Sequence, residues 1–177
     1  MATIIKYCFQ FILLVLVQGL VLDKVQLHHW ITPYIYFVFI LWLPFETSRP
    51  LLMLVSFLLG LTIDGFREHP GFHAAACVLI AYIRPFIINM LLTKEAAESN
   101  YESPSIKSMG GIMQYLFYAG VLIFLHNAWL FLLQAWQFAD LWYFLSKTFF
   151  STLVTLVLLL GIEFLFGRNQ KFRTNTA

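Results

Sequence analysis

Asp64, Arg67, Glu68, His69, His73 and Arg84 all fall between Gly60 and Pro85, in the stretch Gly-Leu-Thr-Ile-Asp-Gly-Phe-Arg-Glu-His-Pro-Gly-Phe-His-Ala-Ala-Ala and the Ala-Tyr-Ile-Arg-Pro that follows it. Carboxylates, imidazoles and guanidiniums gathered this closely are what a reactive centre or a metal site requires. His69 and His73 are four apart, which on a helix would put both imidazoles on one face beside Glu68. Pro70 and Gly71 lie between them, however, so a helix cannot be assumed across the pair, and no third ligand has a defined spacing. Neither a catalytic set nor a metal site is expected here, and no cofactor is implied.

Asp64 has a more economical role. The link from Gly65 to Gly71 is glycine-containing and closed by Pro70, which makes it a shaped turn between two apolar runs. A carboxylate at its start can accept hydrogen bonds from the first free amides of the next helix, near Gly71 or Phe72. Capping is the preferred reading, and direct binding of a partner or solute is the alternative. His73, one turn into that helix, is expected to hydrogen-bond Asp64 or a neighbouring helix. Arg84 lies about 13 residues into its apolar run, or ~20 Å at helical rise, and Pro85 behind it frees a carbonyl. An arginine at bilayer depth is penalised by about 2.5 to 3.5 kcal/mol. Either it snorkels toward the nearer face beside a kink, or it has an internal partner such as Glu46 or Glu163. Further on, His126, Asn127, Gln134 and Lys147 either line a polar cleft or hydrogen-bond between helices, and the second reading is preferred.

These residues are held by a very apolar chain. Of 177 residues, 60% are hydrophobic, 18% aromatic and only 11% charged, and the mean hydropathy is +0.79. A single soluble core cannot bury that much apolar surface, whereas a bilayer solvates it from outside. Apolar runs at about 4–22, 30–45, 50–66, 72–92, 111–133 and 141–166 compare with the roughly 20 residues of a spanning helix. The expected fold is an all-α polytopic membrane protein, a six-transmembrane-helix bundle forming one integral domain. The second and third runs are short. Pro33 and Pro50 suit the first turn of a helix, so this pair reads as a tight hairpin turned at Glu46-Thr47-Ser48-Arg49.

Positively charged loops resist translocation and so set orientation. With six spans, Lys6, Arg49, Lys94, Lys107, Arg168, Lys171 and Arg173 collect on one side, against Lys24 and Arg67 on the other. Both termini are therefore expected in the cytoplasm. Trp30, Tyr34, Trp129, Trp136, Trp142 and Tyr143 gather near the outer face as an interfacial belt. Residues 93–110 form a polar cytoplasmic loop, and the basic tail 167–177 reads as a topological anchor that could also meet anionic lipid. The first run lacks a small-residue cleavage site and is expected to stay attached. Cys8 and Cys77 read as packing residues. With no Walker loop and no G-x-G-x-x-G, nucleotide hydrolysis and dinucleotide binding by the familiar routes are excluded. No nucleic-acid partner is expected.

Phe57-Leu-Leu-Gly-Leu-Thr-Ile-Asp64, the short turn, Gly71-Phe-His73-Ala-Ala-Ala and Tyr82-Ile-Arg84-Pro85 together resemble the rod shape-determining MreD family. Gly60, Leu61, Asp64, Gly71 and His73 carry the resemblance over about a sixth of the chain, while Arg67-Glu68-His69-Pro70 departs from that family's usual apolar or glycine-rich turn. The resemblance implies a non-enzymatic scaffold of the bacterial elongation machinery in the inner membrane. Its partners would be the bitopic MreC and, through it, MreB filaments and the RodA-transpeptidase peptidoglycan synthase. It also implies a bundle similar to the substrate-binding subunits of energy-coupling-factor transporters, so a vitamin-type binding subunit is the alternative. Gly60, Asp64, Gly71, His73, Tyr82, Arg84 and Pro85 are the structural or partner-binding candidates.

Overall fold

In hydrocarbon a backbone has no water to bond, and a long apolar segment satisfies its own amides only as a helix. The computed structural model describes residues 2–24, 31–67, 71–92, 101–134 and 141–166, and every regular element among them is helical. These are α1 (Ala2–Leu16), continued by a π-helical turn (Val17–Leu22), then α2 (Val38–Trp42), α3 (Arg49–Asp64), α4 (Phe72–Leu91), α5 (Ile112–Gln134) and α6 (Leu141–Phe166). Among the described residues four stretches are long and apolar enough to cross a membrane: Ile5–Leu22, Phe72–Leu91, Ile112–Gln134 and Leu141–Leu165. The chain is a helical membrane protein. α3, with 16 residues, is shorter, and Pro50 sits in its first turn as expected. The tail 167–177 lies outside the described residues.

The second apolar run departs from expectation. Instead of a helix over 30–45, only Val38–Trp42 is helical among the described residues 31–45, and the chain on either side of it is irregular. Pro44 accounts for the far end, since proline removes an amide donor and disfavours helix for the residue before it. Leu43 accordingly sits at φ −58°, ψ 151°, the extended conformation usual before proline. Pro33 to Leu43 are all buried, so this segment runs through the bundle as its core. Irregular backbone at membrane depth is tolerated only when enclosed by protein that completes its hydrogen bonds. The rest of the bundle is organised around that demand.

α3 and α4 pack back to back at the shortest range. A Cβ added to Gly60 would lie 2.4 Å from the Ala74 Cα and 2.6 Å from the His73 carbonyl oxygen. Both are backbone atoms that cannot yield without moving a helix. Gly60→Ala is therefore expected to destabilise by about 1 to 3 kcal/mol through overpacking. Gly120 and Gly161, where an added Cβ meets nothing within 4 Å, serve as controls. Alanine there should leave the melting temperature in detergent unchanged or slightly raised. Equal behaviour of all three variants would remove the close-approach role of Gly60.

Candidate functional site

Asp64 ends α3 and reaches across the turn to the start of α4. Its Oδ2 accepts from the amides of Gly71 and Ala74, and its Oδ1 from that of His73, all at 3.0 Å. One buried carboxylate thus satisfies three of the amides that a helix start leaves without partners. Gly71, at φ +96°, takes the left-handed conformation that brings its own N–H toward the carboxylate. Gly65 needs no such freedom and keeps helical angles, φ −64°. Glu68, His69 and Pro70 lie outside the described residues, and so does the metal pairing considered for His69 with His73. Among the described residues no group of three metal-ligating side chains occurs.

Clamped by its amide, His73 points its ring into the core. Nδ1 meets the Tyr36 hydroxyl at 2.7 Å, and the same hydroxyl meets Nε2 of His126 at 2.8 Å. Nδ1 of His126 faces Oδ1 of Asn127 at 3.3 Å, and Nδ2 of Asn127 donates to Thr152 Oγ1 at 3.2 Å. A single direction runs along these bonds with neutral rings. His73 Nδ1–H donates to Tyr36, Tyr36 O–H donates to His126 Nε2, and His126 Nδ1–H donates to Asn127. Phe37 stacks on the His126 ring, centroids 4.0 Å apart. This polar spine ties α4, the buried segment, α5 and α6 together, and its members bond to one another in place of a nucleophile.

Arg84 grips the same segment lower down. Positions 73 and 84 are about three helical turns apart, ~16 Å along one face of α4. Its Nε donates to Tyr118 Oη at 3.0 Å and its Nη2 to the Leu43 carbonyl, while Tyr118 donates onward to the Leu41 carbonyl at 3.0 Å. At 1% exposure the guanidinium is interior, so the snorkelling reading fails. Its partners are a phenol and a backbone carbonyl in place of Glu46 or Glu163. α4 continues through Pro85 without ending. Elsewhere on the segment, Thr32 N–H donates to Ser151 Oγ at 3.0 Å and Tyr34 N–H to Thr155 Oγ1 at 3.4 Å. Gln18, presented by the π-helical turn, accepts from Ile35 N–H at 2.8 Å and donates to the Pro33 carbonyl at 3.3 Å.

No family model, curated protein or solved structure matches the chain. The site is therefore read from its own geometry. Asp64, Gly71 and His73 form one clasp, with Gly60 packed directly beneath it, and Arg84 forms a second at the far end of the same segment. Tyr82 stands apart, 55% exposed on the outer surface of α4, with its ring 5.6 Å from that of Phe86. Tyr34, assigned above to an interfacial belt, is buried, because the irregular path of its segment turns it inward. Trp30 and Trp136 lie outside the described residues, whereas Trp129 and Trp142 are exposed.

Sequence reasoning passed over Gln18, Asp23, Tyr36 and Tyr118. Asp23 forms a two-pronged ion pair with Arg67, Nε to Oδ2 at 3.1 Å and Nη2 to Oδ1, and it also accepts from Gln18 Nε2 at 2.7 Å. Burial, the largest single influence, lowers the Arg67 pKa, but the Asp23 carboxylate and the Tyr34 hydroxyl together outweigh it, and the guanidinium is held more firmly protonated than usual. The available signal was an amide within the first apolar run at Gln18, a residue type that needs a partner when it is taken out of water. The tyrosines carried no such signal, since each also suits a membrane interface.

Proposed function

We propose that this chain is a non-enzymatic membrane scaffold of the bacterial cell-elongation complex, of the MreD type, supporting lateral peptidoglycan synthesis and cell shape. It sits in the cytoplasmic (inner) membrane, crosses it six times and keeps both termini in the cytoplasm. It binds an MreC-like bitopic protein and, through it, MreB filaments and the RodA-transpeptidase synthase. The observation that carries the reading is where the polar groups of the motif go. Asp64, His73 and Arg84 direct their hydrogen bonds at their own fold, an architecture that makes a rigid body rather than a reaction vessel.

Two further features support it. Tyr7 donates to the Glu102 carboxylate and Phe45 N–H to the Glu102 carbonyl at one end, while Asp23 pairs with Arg67 at the other. A chain that passes from Asp23 to Phe45 between those ends suits six traversals, the second of them mostly irregular. On the outer surface, Met53, Phe57, Tyr82 and Trp129 rim a groove of about 520 Å³ over Gly71 and Ala74. Small residues between aromatics allow a partner helix to approach closely. Purification in mild detergent is expected to retain a single-span MreC-like protein, and depletion of this chain is expected to round rod-shaped cells. A preparation without such a protein, from cells of unchanged shape, would overturn the reading. A retained vitamin-sized molecule in its place would favour the transporter-subunit alternative.

A further inference from the structure

Lys147 lies in the second turn of α6, about 9 Å from the helix start at 1.5 Å per residue. It is half-buried, and a charge at that depth ordinarily has an opposite charge beside it. Here the ammonium sits over two rings, 4.6 Å from the Phe131 centroid and 5.9 Å from that of Tyr143. Cation–π contact offsets part of the charge but occupies none of the three ammonium N–H donors. Among the described residues the one ion pair is Arg67 with Asp23, and Lys147 has no carboxylate partner.

Arg67 lies over the Tyr34 ring, 5.2 Å from its centroid, and Tyr34 packs on Phe131 with centroids 6.1 Å apart, so the two cations stand around one pair of neighbouring rings. Its guanidinium is only partly engaged: Nε and Nη2 bind Asp23, and Nη1 donates to Tyr34 Oη at 3.2 Å. That leaves two of its five N–H groups. Among the described residues, two cations therefore share one carboxylate, a net charge of +1 beside Tyr34, Phe131 and Tyr143. Five free N–H donors, three on an ammonium and two on a planar guanidinium, match an acceptor with several oxygens better than a lone halide.

We propose that Lys147, with Arg67 beside it, binds a singly charged oxyanion, either the phosphodiester of a phospholipid headgroup or a free phosphate or carboxylate. Such a group brings the site to neutrality and supplies acceptors for all the free donors. The site is separate from the Asp64 and Arg84 clasps, and it does not depend on the scaffold reading.

The test uses the full chain in a non-ionic detergent, stripped of lipid, with melting temperature as the readout. Dioleoyl phosphatidylglycerol is compared with dioleoyl glycerol, which lacks the phosphate, and sodium phosphate and sodium acetate with sodium chloride at equal ionic strength. The wild type is expected to melt several degrees higher with phosphatidylglycerol, or with phosphate or acetate. A response to the lipid alone assigns the headgroup, and a response to the soluble salts assigns a free anion. Lys147→Arg should keep the response, and Lys147→Met should weaken the apparent affinity at least about tenfold. Without any anion, Lys147→Met should melt no lower than the wild type, because an uncompensated charge has gone. Absence of any anion-specific shift in the wild type, or an equal shift in Lys147→Met, would overturn the assignment.

Discussion

Asp64→Ala is expected to lower the melting temperature more than any other single change in the turn. The substitution strands the amides of Gly71, His73 and Ala74, each now 3.0 Å from a carboxylate oxygen. A hydrogen bond to a charged group contributes about 1.5 to 3 kcal/mol, and loss of an ordinary helix cap costs ~0.5 to 2 kcal/mol. Some of the freed amides regain other partners at the helix end, so the sum is not reached. A loss on the order of 3 kcal/mol follows, or about 6 to 12 °C for a chain of this size. Asp64→Asn keeps one acceptor oxygen and should fall between alanine and the wild type. If Asp64→Ala melts within a degree of the wild type, the carboxylate is not the clasp described.

The second large effect is at Arg84, where even the sign is informative. Were Arg84 a snorkelling side chain beside a kink, Arg84→Leu would remove a desolvated charge and stabilise the bundle. In the structure it would instead leave the Leu43 carbonyl and part of the Tyr118 hydroxyl without a donor in the core. A buried polar group left unsatisfied costs about 1 to 3 kcal/mol, and the relief of the charge offsets only part of this. Arg84→Leu is expected to destabilise by about 2 to 4 kcal/mol. Arg84→Lys should rescue partially, because a single ammonium on a flexible stem cannot hold the phenol and the carbonyl in one planar fork. Thermal melts in detergent read both variants, and a rise for Arg84→Leu would contradict the clamp.

How much of this could be read beforehand depends on sequence separation. The contacts of Asp64 span only seven to ten residues, a distance over which turn chemistry and helix capping suffice. Tyr36 meets His73 and His126 across 37 and 90 residues, and nothing local marks a tyrosine as a bridge between two histidines. Arg84 was visible as an anomaly, because charge at depth is costly wherever it occurs. Its partner was not visible, because a backbone carbonyl has no signature in a sequence.

The same division holds for the fold. Hydropathy by itself determined that the chain lies in a membrane and where its long helices run, since the hydrophobic effect acts on each segment independently of its neighbours. The fate of residues 30–45 was decided only by tertiary structure. An apolar run is equally content against lipid as a helix or inside a bundle in another conformation, provided its amides find partners. Those partners are Gln18, Arg84, Tyr118, Ser151 and Thr155. They come from four separate elements, and only the assembled bundle brings them to one strand of backbone.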